Sequence, residues 1–312
     1  MKRRPIIIDT DPGVDDTIAI MLANANQDKI DIKAITPVTG NVPYSSTSQN
    51  ALRLVKYLGM DCKVGMGADN PLFIASKTAG DIHGSGGLGG YQLPESDKDF
   101  DGYAWDIIKE EAEKANGELE IITLGPLTNI AITLMRYPHI KSLIKRIVCM
   151  AGATTMGNMN AYAEFNVWVD PDACEIVFNS GVPVVMCGLD GNDFCGLSID
   201  ELKEYMGRNT SIRELFDHIF SFFIKRRIAG GPDDAIQVIN DAITMAYFLD
   251  PEIGQTESYY VTCETKGGLC QGQTLVDRAG RMGKAPNVDV LIWSNKPLYK
   301  KMLNDMLDFY SL

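Results

Sequence analysis

Short apolar runs alternate with helical segments between residues 6 and 187. Runs rich in Ile and Val predict buried strands at residues 6–8, 31–38, 120–123, 147–150 and 184–187. Helical patterns separate these runs at residues 17–22, 45–58, 127–135 and 172–179. This alternation is typical of an α/β fold in which helices cover both faces of an open, mostly parallel sheet. Ligands of such sheets bind beyond the carboxyl ends of the strands.

The rest of the chain predicts additional C-terminal helices and a small hairpin. The helical segments are residues 199–206, 212–226 and 242–249. Residues 259–263 and 274–276 form the predicted hairpin, and a last strand at 288–293 precedes a final helix with an apolar stripe. No repeat, low-complexity tract or long linker marks a boundary, so we predict one domain over residues 1–312.

The charge and the cysteines exclude several classes of protein. The formal net charge is −12, from 29 basic and 41 acidic residues, which argues against a nucleic-acid or anionic membrane partner. No apolar run approaches the roughly 20 residues of a membrane span. The 7 cysteines form no CxxC pair, which favours reduced thiols over a disulfide or zinc framework. We therefore expect a cytoplasmic protein.

An acidic cluster follows the first predicted strand, in the segment 9–16, which reads DTDPGVDD. Pro12 and Gly13 predict a sharp turn, so the acids lie where the strand passes into the helix. Capping of the helix accounts for Asp15 and Asp16, but not for the earlier acids. Carboxylates this close raise one another's pKa unless they share a cation. We therefore favour a site for a hard metal ion with oxygen ligands.

A phosphotransferase is an alternative prediction for the same segment. The strand leading into Asp9 and Asp11 resembles the opening of haloacid-dehalogenase-type phosphotransferases, in which one aspartate is the nucleophile. Those enzymes need a magnesium-binding acid pair on a later strand and a lysine that holds phosphate. Here Asp15 and Asp16 follow almost at once, and no lysine stands in an obvious partner motif.

A glycine-rich segment follows His83. Residues 84–89 match the dinucleotide-binding spacing G-x-G-x-x-G, but no buried strand precedes them and no helix can follow. A flexible loop that carries His83 is the better interpretation. A lone histidine is more often structural than functional, and both roles stay open for His83 at this point.

Two further polar clusters suit the recognition of hydroxyl groups. Residues 157–166 hold several asparagines and a glutamate, which fit either sugar binding or a loop of turn-forming residues. Asn240 and Asp241 come at the start of a predicted helix, where capping is the simpler explanation.

Taken together, these motifs resemble the inosine-uridine-preferring nucleoside hydrolase family, in the right order and over almost the whole chain. The matching segments are 9–16, 39–41 (TGN), 81–84 (DIHG), 125–129 (GPLTN), 163–166 (AEFN) and Asp241. The resemblance implies an open α/β sheet with Rossmann-like topology. It also implies a calcium-dependent N-ribohydrolase that forms a homodimer or homotetramer.

The resemblance also implies a role for each matching residue. The Ca²⁺ ligands would be Asp11, Asp16, the main-chain carbonyl of Leu124 and Asp241, and Asp11 would also activate the attacking water. Asp9 would not bind the metal itself but would support the loop of segment 9–16 that carries the ligands. The ribose contacts implied by the resemblance are Asp15 and Asn166 at the 2′-hydroxyl, Asp241 at the 3′-hydroxyl, Asn158 and Glu164 at the 5′-hydroxyl, with Asn41 beside and Met150 beneath the sugar. His83 would be the titratable group on the leaving side.

The chain departs from the family pattern around the nucleobase. Purine-capable members of one subgroup have a histidine before the last metal aspartate, where this chain has Asn240. An amide cannot protonate a leaving base at neutral pH. Residues 221–227 lack a clear counterpart of the family's tyrosines, and Arg226 or Arg227 either polarises the base or lies on the surface.

We therefore predict a nucleoside hydrolase that cleaves the N-glycosidic bond of purine or pyrimidine ribonucleosides, releasing ribose and a free base with a calcium-activated water. Its partner is a small-molecule ribonucleoside, neither nucleic acid nor membrane. The alternatives are a magnesium phosphotransferase or phosphatase and a non-catalytic homologue that binds ribose or nucleosides.

Overall fold

The computed structural model describes residues 2–230 and 236–312, with the backbone alone at Asp81. Its strands are β1 (Arg4–Thr10), β2 (Ile30–Pro37), β3 (Lys63–Val64), β4 (Leu119–Thr123), β5 (Ile144–Met150), β6 (Val184–Cys187), β7 (Leu197–Ser198), β8 (Ile236–Gln237), β9 (Gly254–Tyr259), β10 (Val261–Cys263), β11 (Thr274–Val276) and β12 (Val288–Ser294). Its helices are α1 (Val14–Asn24), α2 (Tyr44–Tyr57), α3 (Gly80–His83), α4 (Ala104–Ala115), α5 (Thr128–Arg136), α6 (Phe165–Val169), α7 (Pro171–Phe178), α8 (Leu189–Asn192), α9 (Ile199–Tyr205), α10 (Arg213–Gly230), α11 (Asn240–Leu249) and α12 (Lys296–Phe309).

The central sheet has the strand order β3-β2-β1-β4-β5-β6-β12-β9. Every neighbouring pair is parallel except β12 and β9, which pair antiparallel at one edge. The chain builds the sheet outward from β1 in both directions, so the boundary between β1 and β4 is the topological switch point. Open sheets bind ligands beyond the strand ends at such a point. The predicted α/β fold is confirmed.

Each face of the sheet carries its own apolar core, because successive strand residues point to opposite sides. In β1, Ile6 and Ile8 lie in one core and Ile7 in the other, and all three are fully buried. Helices α1, α11 and α12 pack on the first face, and α4, α5 and α7 pack on the second. Burial of each such side chain contributes about 1.5–3 kcal/mol. The two cores hold the strand ends in fixed positions beneath the site.

The C-terminal hairpin pairs β10 with β11 as predicted, but the preceding residues differ from the prediction. Tyr259 belongs to β9, an edge strand that pairs with β12, and the hairpin begins only at Val261. Most residues of β9 are exposed, so this strand lacks the alternation of apolar and polar residues that predicts a strand. Helix α4 and the short pair of β7 and β8 are also additions to the predicted elements.

The described residues contain neither a disulfide nor a membrane span. All seven cysteines are free, and five of them are buried. Within residues 2–230 and 236–312, no helix is both long and apolar enough to cross a bilayer.

Candidate active site

The carboxyl ends of the parallel strands open onto a cavity of about 430 Å³. Asp11 follows β1, Leu124 follows β4 and Met150 ends β5, while Asp241 lies in the first turn of α11. The predicted site residues that line the cavity are Asp15, Asn41, His83, Leu124, Met150, Asn158, Glu164, Asn166, Asn240 and Asp241. Asp11 and Asp16 are fully buried and do not reach the cavity surface. Residues predicted from distant segments therefore meet at one edge of the sheet.

Asp15, Asp16 and Asp241 form the acidic cluster of the site. Each offers a carboxylate oxygen, and the three oxygens lie within 4.8 Å of one another. Burial, then the charges of Asp15, Asp16 and Asp11, raises the pKa of Asp241 well above its ordinary value. Burial and the Asp15 charge raise the pKa of Asp16, and burial raises that of Asp15 to about 6. Burial is the first cause for all three carboxyl groups, so their ionised forms are unfavourable unless a cation shares their charge.

Asp11 lies in a space that two glycines leave open. The Asn41 backbone N–H donates to Asp11 Oδ2 at 2.7 Å. A Cβ at Gly40 or at Gly125 would collide with the Asp11 carboxylate. Burial, followed by the charge of Asp16, raises the pKa of Asp11 well above its ordinary value. The backbone at Gly40, Asn41 and Gly125 therefore fixes the Asp11 carboxylate in a buried position.

Asp16 caps helix α1 while it belongs to the acidic cluster. Its Oδ2 accepts from the Gly13 N–H and from the Asn41 side-chain amide, each at 2.9 Å. Its Oδ1 accepts from the Thr10 hydroxyl. Each carboxylate oxygen has two lone pairs, so these bonds leave Asp16 able to bind a cation as well. Capping and metal binding are compatible for this residue.

Glu164 and Asn166 fix the side of the cavity next to Met150. The Asn166 amide donates to the Leu124 carbonyl at 2.8 Å and to the Met150 carbonyl at 3.0 Å. Glu164 accepts from the Asn166 and Gly152 backbone N–H groups, at 2.8 and 2.9 Å, and caps α6. Burial raises the pKa of Glu164 to about 7. Asn158 lies exposed at the mouth of the cavity.

His83 ends the short helix α3 and lies next to Asp15. Its Nδ1 is 3.7 Å from Asp15 Oδ1, and the side chain is 8% exposed. Burial lowers the pKa of His83 to about 4, and the Arg226 charge adds to this effect. Gly13 makes room for the ring, because a Cβ there would collide with Nδ1. His83 is therefore neutral at pH 7 in the protein without a bound cation.

The far side of the cavity includes polar residues that no motif in the sequence predicts. Asp190 and Asp193 follow β6, and Gln237 ends β8. Asp190 accepts from the Thr154 N–H and the Thr155 hydroxyl. The sequence could have pointed to Asp190, because it follows a predicted parallel strand and ligands bind beyond the carboxyl ends of such strands, as for Asp11. Gln237 lies in a strand of only two residues, which no sequence pattern predicts.

The donors around the acidic cluster fit a hard divalent cation. The atoms available as metal ligands are carboxylate and carbonyl oxygens, which suit Ca²⁺ or Mg²⁺. Asp11 Oδ1 and Asp15 Oδ1 are buried and have no hydrogen-bond partner in the described part of the chain. Buried carboxylate oxygens are normally paired, so these two oxygens indicate a missing positive partner.

Comparison with known proteins identifies the family. The model of the inosine-uridine preferring nucleoside hydrolases matches residues 6–301. The chain belongs to this family. The resemblance predicted from the motifs is thereby confirmed, and the protein hydrolyses ribonucleosides to ribose and a free base. The phosphotransferase and non-catalytic alternatives are wrong.

Individual nucleoside hydrolases match almost end to end. Pyrimidine-specific ribonucleoside hydrolase RihA from Escherichia coli O1:K1 is 35% identical, over 98% of this chain and 99% of its own. The purine-preferring ribonucleoside hydrolase from Gardnerella vaginalis is 30% identical, covers 98% of this chain and 99% of its own, and has a TM-score of 0.91. A plant nucleoside hydrolase is 27% identical over the same shares, also with a TM-score of 0.91. The names of these hydrolases differ in base preference, since RihA is pyrimidine-specific and the Gardnerella vaginalis hydrolase is purine-preferring.

Proposed function

We propose that this nucleoside hydrolase is calcium-dependent and binds the ribose of its substrate above the acidic cluster. The ligands would be Asp11, Asp16, the Leu124 carbonyl and Asp241. The observation that carries the proposal is that two of these ligands, Asp16 and Asp241, offer oxygens within 4.8 Å of each other and of an Asp15 oxygen. Asp11 adds a buried Oδ1 that has no hydrogen-bond partner among the described residues. Carboxylates and a carbonyl suit Ca²⁺, which accepts more oxygen ligands and looser geometry than Mg²⁺.

When bound, calcium supplies the positive charge that orders the attacking water and the ribose hydroxyls. Asp11 accepts the proton of that water at Oδ1, the oxygen without a described hydrogen-bond partner. Asn41 holds the other Asp11 oxygen, so Oδ1 keeps a constant direction. His83 faces the leaving side as a neutral imidazole.

The ribose lies on the polar residues of the cavity. Asp15 and Asn166 hold the 2′-hydroxyl, and Asp241 holds the 3′-hydroxyl. Asn158 and Glu164 bind the 5′-hydroxyl, Asn41 supports the ribose side and Met150 lies beneath the ring. All of these residues line the same cavity, which supports the assignment. Carboxylates and amides around the sugar stabilise the positive charge that develops on it in the transition state.

We further propose one catalytic domain over residues 1–312, in a cytoplasmic homodimer or homotetramer. The continuous central sheet, which includes both β1 near the start of the chain and β12 near its end, supports a single domain. Light scattering coupled to size exclusion measures the oligomeric state, and a monomer would contradict this part.

The metal is tested by removing and replacing it. Protein stripped with EGTA should lose release of reducing sugar from ribonucleosides, and micromolar Ca²⁺ should restore it at lower concentration than Mg²⁺. Calorimetric titration of the stripped protein with Ca²⁺ gives a measure that is independent of activity. Asp241→Asn should weaken Ca²⁺ binding by about 100-fold or more, whereas Asp200→Asn, at an exposed residue of α9, serves as the matched control. Full activity after EGTA, or a preference for Mg²⁺, would contradict calcium dependence.

A further inference from the structure

Helix α10 places two arginines in the wall of the cavity. Phe223, Arg226 and Arg227 all line it, and their spacing of three and four residues puts them on one helix face. Phe223 is 2% exposed and packs on Phe220, with ring centroids 5.9 Å apart. This aromatic packing fixes the orientation of the arginine-bearing turn.

The same helix is attached to the segment that carries His83. His218 Nε2 lies 2.9 Å from the Gly89 carbonyl oxygen, and the Gly89 N–H donates to the His83 carbonyl at 2.8 Å. Phe222 occupies the space beside Gly89, where a Cβ would collide with its ring. The arginines and His83 are therefore held in one assembly around the cavity.

The two arginines have different surroundings. Arg227 Nε donates to Gln237 Oε1 at 2.9 Å, and Gln237 Nε2 donates to the Val238 carbonyl at 2.7 Å. Arg227 is therefore engaged in holding β8 beside α10. Arg226 is exposed at the cavity, and its charge lowers the pKa of both Asp15 and His83. Arg226 is thus the arginine whose charge reaches both Asp15, proposed at the 2′-hydroxyl, and His83, proposed on the leaving side.

Cleavage leaves negative charge on the departing base. The bond between C1′ and the base nitrogen breaks with its electron pair on the base, while the water oxygen forms the new bond to C1′. Asn240 has no proton to give near neutral pH, and its Oδ1 accepts from the Asn192 amide at 3.2 Å. A fixed cation stabilises such a charge without any proton transfer.

We propose that Arg226 is a catalytic residue that contacts the departing base and stabilises its negative charge, replacing a proton donor. The base leaves as the anion and takes its proton from solvent, while the proton of the water goes to Asp11. An arginine keeps its charge throughout the physiological pH range, so this device works without a titrating group. The proposal rests on the ribose-binding arrangement proposed above.

The test compares a natural nucleoside with 4-nitrophenyl riboside, whose leaving group needs no stabilisation. In the calcium-loaded enzyme, Arg226→Gln should lower kcat/KM for the fastest natural nucleoside by about 100-fold or more. The same variant should cleave 4-nitrophenyl riboside within about threefold of the parent enzyme. Arg226→Lys should recover part of the loss, and the pH profile for the natural nucleoside should keep its shape.

Matched variants test whether Arg226 itself is the residue that stabilises the departing base. Arg213→Gln, on the exposed start of the same helix, should leave both substrates unaffected. Equal losses on both substrates in Arg226→Gln, or no loss on either, would overturn the proposal. It would also be overturned if Arg227→Gln or Asp193→Asn alone gave the selective loss. A parent enzyme that keeps full activity on both substrates after EGTA would instead refute the proposed calcium-dependent ribose site, so the two failures are distinguishable.

Discussion

Asn41 donates two hydrogen bonds to Asp11, from its backbone N–H to Oδ2 at 2.7 Å and from its side-chain amide to the carbonyl oxygen at 3.1 Å. The same side-chain amide also donates to Asp16 Oδ2 at 2.9 Å. A single residue in the connection that follows β2 thus positions two of the proposed metal ligands. These ligands are Asp11, which follows β1, and Asp16, in the first turn of α1. The positions of these acids depend on a contact between separate β-α units.

Replacing Asn41 should therefore weaken the metal site without removing a ligand. Asn41→Ala keeps the backbone bond but leaves Asp16 with one donor fewer. Because partners that orient metal ligands typically contribute 10–100-fold, we expect Ca²⁺ affinity and kcat/KM to fall by about that factor. Calorimetry and a ribose-release assay measure the two effects. Asn179→Ala, an exposed residue at the end of α7, is the control, and an unchanged Kd for Ca²⁺ would count against this role of Asn41.

Gly40 and Gly125 should tolerate no side chain, because both leave space for the Asp11 carboxylate. Gly40→Ala or Gly125→Ala must displace Asp11, and overpacking of this kind costs about 1–3 kcal/mol of folding stability. We expect activity to fall by more than about 100-fold, since a misplacement of 1 Å can have that effect. Gly80→Ala is the matched control, because a Cβ there meets nothing within 4 Å. Denaturant titration and kinetics on the same samples separate the two effects, and normal kcat in both variants would refute the packing argument.

The sequence predicts the residues at the acidic end of the cavity better than those at its α10 end, for a physical reason. The acids of segment 9–16 lie on one strand-to-helix connection, so their proximity follows from local geometry. Asn41 and Asp241 come from other connections, and their place near this segment follows from the parallel arrangement of the strands. Gln237 and Arg227 meet at the cavity through the packing of β8 against α10, and no periodicity in the sequence predicts this contact. The edge strand β9 is not predicted because most of its side chains are exposed, and exposed side chains need no alternation of apolar and polar residues.

Stability without calcium should fall as pH rises. Burial raises the pKa of Asp9 and Glu164 to about 7 and that of Asp15 to about 6, above the ordinary carboxyl values they regain on unfolding. The folded state therefore binds more protons than the unfolded state between about pH 4 and 7, and its free energy of unfolding declines across that window. Thermal unfolding in EGTA at pH 5 and pH 7.5 checks this. A higher Tm at pH 7.5 than at pH 5 would contradict it.

Calcium should restore the free energy of unfolding that is lost at higher pH, because it binds the acidic cluster of the folded state. At a concentration of 100 times its Kd, a ligand that binds only the folded state stabilises it by about 2.7 kcal/mol. We expect Asp241→Asn to raise the Tm in EGTA, because it removes one of the repelling charges, and to abolish the shift caused by Ca²⁺. Asp200→Asn should keep the parent Tm and the parent shift. A lower Tm for Asp241→Asn in EGTA would mean that this carboxylate stabilises the fold instead.

His83 should act as a neutral group in the reaction. Burial lowers its pKa to about 4, so its imidazole carries no charge above about pH 5. Titration by NMR should give a pKa for His83 well below the ordinary value of a histidine. The pH profile of kcat/KM between pH 6 and 8 should have the same shape in His83→Gln as in the parent enzyme, with the rate about 10-fold lower because a packed contact beside Asp15 is lost. If the substitution removes an acid or basic limb from that profile, His83 transfers a proton in the reaction, and the neutral role fails.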